Sequence, residues 1–211
     1  MTSAQITGPI LSVRDVHLWR GASHVLRGLS FEASAGEVWV LEGANGSGKT
    51  SLLRVIAGLL WPEEGSVQWH GDALRAPEDA TAVSVSYLAH DAALHDDLTP
   101  LENVRDATQL QRVCATEEAQ TILERVGVQI ADRATRTLSA GQRRRVALAR
   151  VLLSHASVWL LDEPWTHLDA AGVKLFQELI TDKVNKGGLV ILSAHHEVGL
   201  PSRSLRRLAL S

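Results

Sequence analysis

Cysteines and long apolar runs are scarce in this sequence of 211 residues. The single cysteine, Cys114, excludes an internal disulfide and any Cys-x-x-Cys pair for metal or haem attachment, and it is typical of a reducing compartment. The longest apolar run, VIAGLLW at 55–61, is far shorter than the ~20 residues that span a bilayer. The N-terminus lacks the basic and apolar regions of a signal peptide. We therefore expect a chain that neither crosses a membrane nor is exported.

An excess of basic residues is missing as well. The formal net charge is −3, and the arginines at 143–145 form only a local cluster. A protein whose main partner is nucleic acid neutralises phosphates with many Lys and Arg side chains, so no nucleic-acid partner is expected. Apolar residues make up 45% of the chain and charged residues 21%, which suffices for one substantial core and a small additional lobe.

Apolar and polar residues alternate in the first part of the chain, a pattern typical of strands. Strands of an antiparallel β lobe are therefore predicted at 11–19, 30–34 and 37–43. The first helix is predicted to begin at Gly48 and to continue to the Trp61-Pro62 pair, and a short strand follows at 66–71.

In the last third of the chain, helices alternate with short apolar strands. The predicted order is helix 140–154, strand 157–162, helix 169–186, strand 189–193 and a short tail. This alternation predicts an α/β fold with parallel strands that are buried on both faces.

The stretch of approximately 85–152 interrupts that alternation and is mostly helical. After a strand at 84–90, Thr99 and Glu102 form a capping box that opens one helix, and a second helix is predicted at 117–127. We expect this stretch to be a helical subdomain within a single domain over residues 1–211.

The segment GANGSGKT at 43–50 follows an apolar strand and opens a helix, which is the context of a P-loop. Its glycines let backbone N–H groups surround phosphates, Lys49 places a charge on the terminal phosphates, and Thr50 offers a hydroxyl to Mg²⁺. A glycine-rich turn without a ligand is the alternative, which the complete match disfavours. The predicted nucleotide-binding residues are Gly43, Ala44, Asn45, Gly46, Ser47, Gly48, Lys49, Thr50 and Ser51.

Two acids end the apolar strand of VWLLDEP at 158–164. Open α/β sheets bind ligands at the carboxyl ends of their strands, where buried acids are tolerated because they face a polar site. Asp162 is predicted to hold Mg²⁺, and Glu163 to polarise the attacking water. A solvated strand end with an N-capping acid is the alternative, and the P-loop upstream disfavours it.

The segment LSAGQ at 138–142 has two compatible interpretations. Ser139 and Gln142 form a capping box, which by itself indicates a well-made helix start. A helix N-terminus with a serine hydroxyl and with Gly141, where a backbone can approach closely, is also an anion site. We therefore predict a second phosphate-binding element.

Five motifs together resemble the ATP-binding-cassette (ABC) ATPases along nearly the whole chain. In order they are the P-loop, LSAGQ, LLDEP, THLD at 166–169 and a histidine after an apolar strand. The resemblance implies a P-loop NTPase core of ABC type that hydrolyses ATP with Mg²⁺ through Lys49, Glu163 and His195. It also implies that two copies sandwich ATP head to tail, so that Ser139, Gly141 and Gln142 meet the nucleotide held by the other copy's P-loop.

The same resemblance implies roles for further residues of this chain. Trp19 lies where the family places an aromatic under the adenine, although a core tryptophan is an alternative. Asp169 corresponds to the acid that crosses the dimer interface, and it can also cap the next helix. His195 corresponds to the histidine that touches the γ-phosphate, and His196 is the rival candidate.

His90 departs from the family pattern. At this place the family has a glutamine that approaches Mg²⁺ and starts the loop that docks the membrane subunit. Because an imidazole is not an amide, we assign His90 to coupling, and its contact with Mg²⁺ stays open.

Within the family, the chain most resembles the ATPase subunits of cytochrome c maturation systems, which are described as haem exporters. LSAGQRRRVALAR and the aromatic residue after DEP are the most suggestive segments. The resemblance implies integral membrane partners and a peripheral position on the cytoplasmic side of a bacterial inner membrane. A lipoprotein or peptide exporter would share every catalytic motif. A non-transport ABC ATPase and a catalytically silent binding module are two further interpretations.

Overall fold

The computed structural model describes residues 9–74, 85–109, 115–129, 133–195, 199–200 and 203–211. The strands of these residues are β1 (Leu11–Arg20), β2 (Ser23–Ala33), β3 (Val38–Glu42), β4 (Glu64–Trp69), β5 (Asp72–Ala73), β6 (Val85–Leu88), β7 (Val158–Leu161), β8 (Leu189–Ser193) and β9 (Leu205–Ala209). The helices are α1 (Lys49–Ile56), α2 (Pro100–Gln109), α3 (Thr116–Arg125), α4 (Ala140–Leu153) and α5 (Ala170–Asn185), with a 3₁₀ turn at Thr135–Thr137.

An antiparallel sheet forms the first lobe, in the strand order β2-β1-β4-β5. The predicted β lobe is thus confirmed, but assigning 37–43 to it was wrong. That segment is β3, which pairs with β8 and β9 in the parallel sheet. The edge strand β2 also begins at Ser23, well before the predicted start at 30, because polar residues on its open side weaken the apolar alternation.

The second sheet is parallel, in the order β6-β7-β8-β3-β9. Every residue of β7 and β8 is buried, as expected of strands that are covered on both faces, and the predicted α/β fold is confirmed. The predicted short tail was wrong in part, because it contains β9. This edge strand exposes two arginines within LRRLA and therefore does not read as an apolar run.

Helices α2, α3 and α4 share a separate apolar cluster that includes Val104, Leu123 and Val146. The other face of α4 packs with the parallel sheet through Leu148 and Val151. Helix α4 therefore contacts both cores. The capping box at the start of α2 is confirmed, since Glu102 N–H donates to Thr99 Oγ1 over 3.2 Å.

Helix α1 ends at Ile56, short of the predicted end, because Gly58 adopts a φ of 71° in the turn that follows. None of the helices in the described ranges is both long enough and apolar enough to cross a membrane.

Candidate functional site

The P-loop joins the carboxyl end of β3 to the start of α1, and close packing requires its glycines. A Cβ atom on Gly48 would lie 2.8 Å from Leu26 Cδ2 and 2.9 Å from Val25 Cγ1. The φ of Gly48 is also 99°, which side chains rarely tolerate. A Cβ on Gly43 would overlap the carbonyl oxygen of Leu210. The loop is therefore pressed between the antiparallel sheet and the residue that follows β9.

The Lys49 side chain folds back into the loop. Its Nζ donates to the carbonyl oxygens of Gly43 over 2.7 Å and Ala44 over 2.9 Å, and the residue is only 6% exposed. Lys49 also lines the adjoining cavity together with Thr50. The ammonium group is thus held at the mouth of the loop, where phosphate oxygens can replace the two carbonyls.

A cavity of about 560 Å³ lies beside this loop, within the usual range for a small-molecule site. Three parts of the fold form its walls. The P-loop side supplies Asn45, Gly46, Gly48, Lys49, Thr50 and Ser51, the antiparallel sheet supplies Arg20 and Val25, and the carboxyl end of the parallel sheet supplies His90, Glu163 and His195.

Asp162 follows β7 and is 1% exposed. Its Oδ1 accepts a hydrogen bond from Ser193 Oγ over 2.7 Å, and the same hydroxyl accepts the Glu163 N–H over 2.8 Å. Among the described residues, Asp162 Oδ2 has no hydrogen-bond partner although it is buried. A buried carboxylate oxygen without a partner is costly, so this atom fits a divalent cation that needs hard oxygen ligands. Ser193 was missed because a serine ending an apolar strand gives no signal of its own.

Both carboxylate oxygens of Glu163 face imidazoles. His195 Nε2 lies 2.5 Å from Oε1, and His90 Nδ1 lies 3.4 Å from Oε2. The Glu163 backbone has a φ of 46°, and its N–H bond to Ser193 helps to hold that unfavourable conformation. The structure thus brings His90 to the acid as well as His195, while His196 lies outside the described residues.

Arg144 anchors the strand ends behind this acid and was not singled out by the sequence. Its Nη2 donates to the carbonyl oxygens of Asp162 over 2.7 Å and Glu163 over 2.8 Å, and its Nη1 to those of Ala89 and His90. Burial lowers the pKa of Arg144 to about 10, and nearby carboxylates oppose that shift. Helix α4 is thereby tied to the backbone on which both His90 and Glu163 lie.

The capping box of LSAGQ is confirmed at the start of α4. Gln142 N–H donates to Ser139 Oγ over 3.2 Å, and Ser139 N–H to Gln142 Oε1 over 2.9 Å. Gly141 is needed because a Cβ there would lie 2.8 Å from the carbonyl oxygen of His167. Ser139 and Gln142 are exposed, and neither lines the cavity of its own chain.

Asp169 caps α5, as its alternative role predicted. Its Oδ1 accepts from Gly172 N–H over 2.9 Å and from Arg145 Nη2 over 2.6 Å. The hydrogen bond from Gly172, with a smaller contribution from Arg145, lowers the pKa of the Asp169 carboxyl. The side chain is therefore a carboxylate near neutral pH, on the loop that touches Gly141.

Trp19 is not one of the residues that line the cavity. Its indole stacks on the His24 imidazole with a centroid distance of 4.0 Å and an interplanar angle of 6°. The next residue along β1, Arg20, lines the cavity instead.

The fold is that of an ABC-type ATPase. The family described as ABC transporter matches residues 26–166, so the chain belongs to that family. A "Cytochrome c biogenesis ATP-binding export protein CcmA" from Cupriavidus pinatubonensis is 43% identical over 190 residues, which cover 89% of this chain and 84% of the relative. The protein of the same name from Dechloromonas aromatica is 37% identical, with 95% of this chain and 100% of the relative covered.

Solved structures agree on the fold. A putative ABC transporter ATP-binding protein from Pyrococcus furiosus superposes with a TM-score of 0.80 at 26% identity, covering 95% of this chain and 96% of that one. The ATP-binding cassette MJ0796, solved as a dimer in a post-hydrolysis state with ADP and Pi, gives a TM-score of 0.82 at 23% identity over 95% of this chain and 94% of that one.

Proposed function

We propose that this chain is the ATP-hydrolysing subunit of a membrane ABC complex that serves cytochrome c biogenesis. One observation carries the ATPase proposal. Asp162 Oδ2 is a buried carboxylate oxygen without a hydrogen-bond partner in the described structure. It belongs to the residue next to Glu163, and Glu163 lines the same cavity as the P-loop lysine, Lys49. This arrangement suits a nucleotide with a divalent cation.

The P-loop backbone and Lys49 bind the terminal phosphates of ATP. Thr50 and Asp162 would hold Mg²⁺, which when bound would neutralise charge that develops on the phosphate oxygens. Glu163 accepts the proton of the attacking water, because among the described residues it is the carboxylate that lines the cavity. His195 and His90 orient its two oxygens through the contacts of 2.5 and 3.4 Å.

The complete site includes a second copy of the chain. The exposed, capped start of α4 offers Ser139, Gly141 and Gln142 to a phosphate, but these residues do not line the cavity of their own chain. A head-to-tail nucleotide sandwich brings them to the other copy's P-loop. Asp169 lies at the interface between the copies, since its loop packs against Gly141.

The cytochrome c assignment is supported by relatives that carry the CcmA name at 43% and 37% identity. We propose that residues 1–211 form one ABC ATPase domain that is peripheral to the cytoplasmic side of a bacterial inner membrane, bound to integral membrane subunits resembling CcmB and CcmC. The cargo of the complex is haem, or the step is release of a haem-carrying chaperone. His90 transmits the state of the site to the membrane subunits.

Deletion of the gene in its host tests this proposal. The deletion should abolish covalent c-type cytochromes, detected by haem staining of denaturing gels, and should leave b-type haem proteins unchanged. Wild-type protein should restore the c-type cytochromes, and Glu163→Gln produced at the same level should not. Normal c-type cytochromes in the deletion strain would show that the complex exports something else, such as a lipoprotein or a peptide.

A further inference from the structure

The loop that precedes α5 contacts one face of helix α4 at two places. At the first, the carbonyl oxygen of His167 lies so close to Gly141 that a Cβ on the glycine would be 2.8 Å from it. At the second, Arg145 Nη2 donates to Asp169 Oδ1 over 2.6 Å. Gly141 and Arg145 are four residues apart, so they lie on one face of the helix about one turn apart. The two contacts therefore fix this loop against the start of α4, whose N-cap is Ser139.

The guanidinium of Arg145 also contacts the residue that follows helix α3. Its Nη1 donates to the carbonyl oxygen of Val126 over 2.8 Å, while its Nη2 donates to Asp169. The Arg145 side chain is 18% exposed, whereas that of Asp169 is 69% exposed. A guanidinium presents its N–H donors in a fixed planar fork, so one side chain can serve two acceptors in a defined geometry. Arg145 thus joins the end of α3 and the start of α4 to the Asp169 loop as one unit.

A glycine of α5 leaves room for this ion pair. A Cβ on Gly172 would lie 2.9 Å from Arg145 Nη2 and 2.8 Å from Asp169 Oδ1. Gly172 belongs to the first turn of α5, where its backbone does not have the positive φ that favours glycine. Glycine is also a poorer helix former than alanine. The space that Arg145 and Asp169 need is therefore the reason for a glycine at this position.

We infer that Arg145 is a positioning residue for the nucleotide site of the other copy. This inference rests on the proposed head-to-tail arrangement, in which Ser139 and Asp169 of one copy approach the site formed by the other copy's P-loop. Arg145 is not one of the residues that line the cavity of its own chain. Because it holds the Asp169 loop at a fixed distance from Ser139, the two residues reach the other copy's nucleotide together.

The test uses two kinds of mixed dimer of the full chain, each isolated through a different tag on each copy. In the separate-chain dimer, one copy carries Lys49→Ala and the other carries Arg145→Ala. In the same-chain dimer, one copy carries both substitutions and the other is wild type. The measurement is the rate at which nucleotide is trapped from MgATP and vanadate, compared with a dimer of Lys49→Ala and wild type.

The separate-chain dimer should trap nucleotide within about twofold of the reference dimer. Its copy with Arg145→Ala has an intact P-loop, and this P-loop faces the intact α4 of the other copy. The same-chain dimer should trap it at least about tenfold more slowly, because a misplacement of about 1 Å can cost about 100-fold in rate. Its one intact P-loop faces the damaged α4. A residue that matters only for folding would not produce this difference between the dimers.

Gly172→Ala should give the same pattern as Arg145→Ala, since the added methyl group separates Arg145 from Asp169 and leaves both charges in place. Arg125→Ala, which removes the exposed arginine at the end of α3, is the control and should slow neither dimer. The opposite order of the two dimers would show that Arg145 acts on the site of its own chain. Equal rates in the two dimers, slowed or not, would also overturn the inference.

Failure of the proposed function has a different signature. If the reference dimer of Lys49→Ala and wild type traps no nucleotide, the proposed ATP site is wrong, and the inference is wrong with it. Ser139→Arg, used in place of Arg145→Ala, tests the head-to-tail arrangement by itself. If Ser139→Arg slows only the same-chain dimer and Arg145→Ala does not, the arrangement holds and the role of Arg145 is overturned.

Discussion

The hydroxyl of Ser193 lies 2.7 Å from Asp162 Oδ1 and leaves Oδ2 of the same carboxylate without a partner in the described structure. The carboxylate is therefore held in one orientation by a residue from the neighbouring strand. The same hydroxyl accepts the N–H of Glu163, so a single buried side chain positions both acids. Ser193 is a positioning residue in this arrangement, because it contacts the acids and is not one of the residues that line the cavity.

Replacing Ser193 should damage both the site and the stability of the fold. Ser193→Ala leaves Asp162 Oδ1 and the Glu163 N–H buried without partners, so we expect a loss of about 1–3 kcal/mol in the free energy of unfolding. Loss of a group that orients a metal ligand typically costs about 10–100-fold in metal affinity or activity. Denaturant unfolding and the Mg²⁺ dependence of hydrolysis measure the two effects. Thr121→Ala, which removes an exposed hydroxyl bonded to a helix carbonyl, is the control and should change neither.

Glu163→Gln should separate binding from chemistry. The amide keeps the shape of the side chain and loses its basicity, so hydrolysis should fall by roughly 10²- to 10⁴-fold while ATP still binds. Equilibrium ATP titration and single-turnover hydrolysis check the two halves of this expectation. Glu178→Gln on α5 serves as the matched control for loss of one carboxylate. Unchanged turnover in Glu163→Gln would remove the residue from the role of base.

Arg144 should contribute more to the free energy of unfolding than the neighbouring Arg143. Arg144→Ala leaves several buried or partly buried carbonyl oxygens at the ends of β6 and β7 without this donor, so we expect a cost of about 2–4 kcal/mol in the free energy of unfolding. Arg143→Ala is the control, because Arg143 makes a partly exposed ion pair with Asp96, a type worth about 1 kcal/mol or less. Equal losses from the two changes in urea unfolding would contradict the anchoring role.

The composite site predicts complementation between two defective chains. Suppose that one chain carries Lys49→Ala and its partner carries Ser139→Arg, in which the arginine fills the anion site. One site of this mixed dimer is then doubly damaged, whereas the other joins an intact P-loop to an intact Ser139. Each parental homodimer has two broken sites.

Nucleotide trapped with vanadate is the measurement, because trapping does not require that the two sites cycle together. We expect trapping in the mixed dimer and in neither parent. A verified mixed dimer that traps no nucleotide would show that Ser139 does not complete the partner's site.

Local patterns in the sequence determined the features that depend on near neighbours in the chain. The P-loop, the acids that end β7, and the capping boxes at Thr99 and Ser139 are short segments whose backbone geometry follows from their own residues. The buried strands β7 and β8 were likewise recognisable, because continuous apolar runs indicate strands covered on both faces.

Contacts between segments that are distant in the sequence determined the remaining features of the fold and of the site. β3 joined the parallel sheet because its two edges pair with β8 and β9, which lie much later in the chain. Ser193 and Arg144 became parts of the site only when β8 and α4 packed beside Asp162. The cavity received Arg20 instead of Trp19 because the pairing of β1 with β2 sets which face of the strand meets the P-loop. The sequence determines the type of each side chain, but packing between strands and helices determines the direction in which the side chain points.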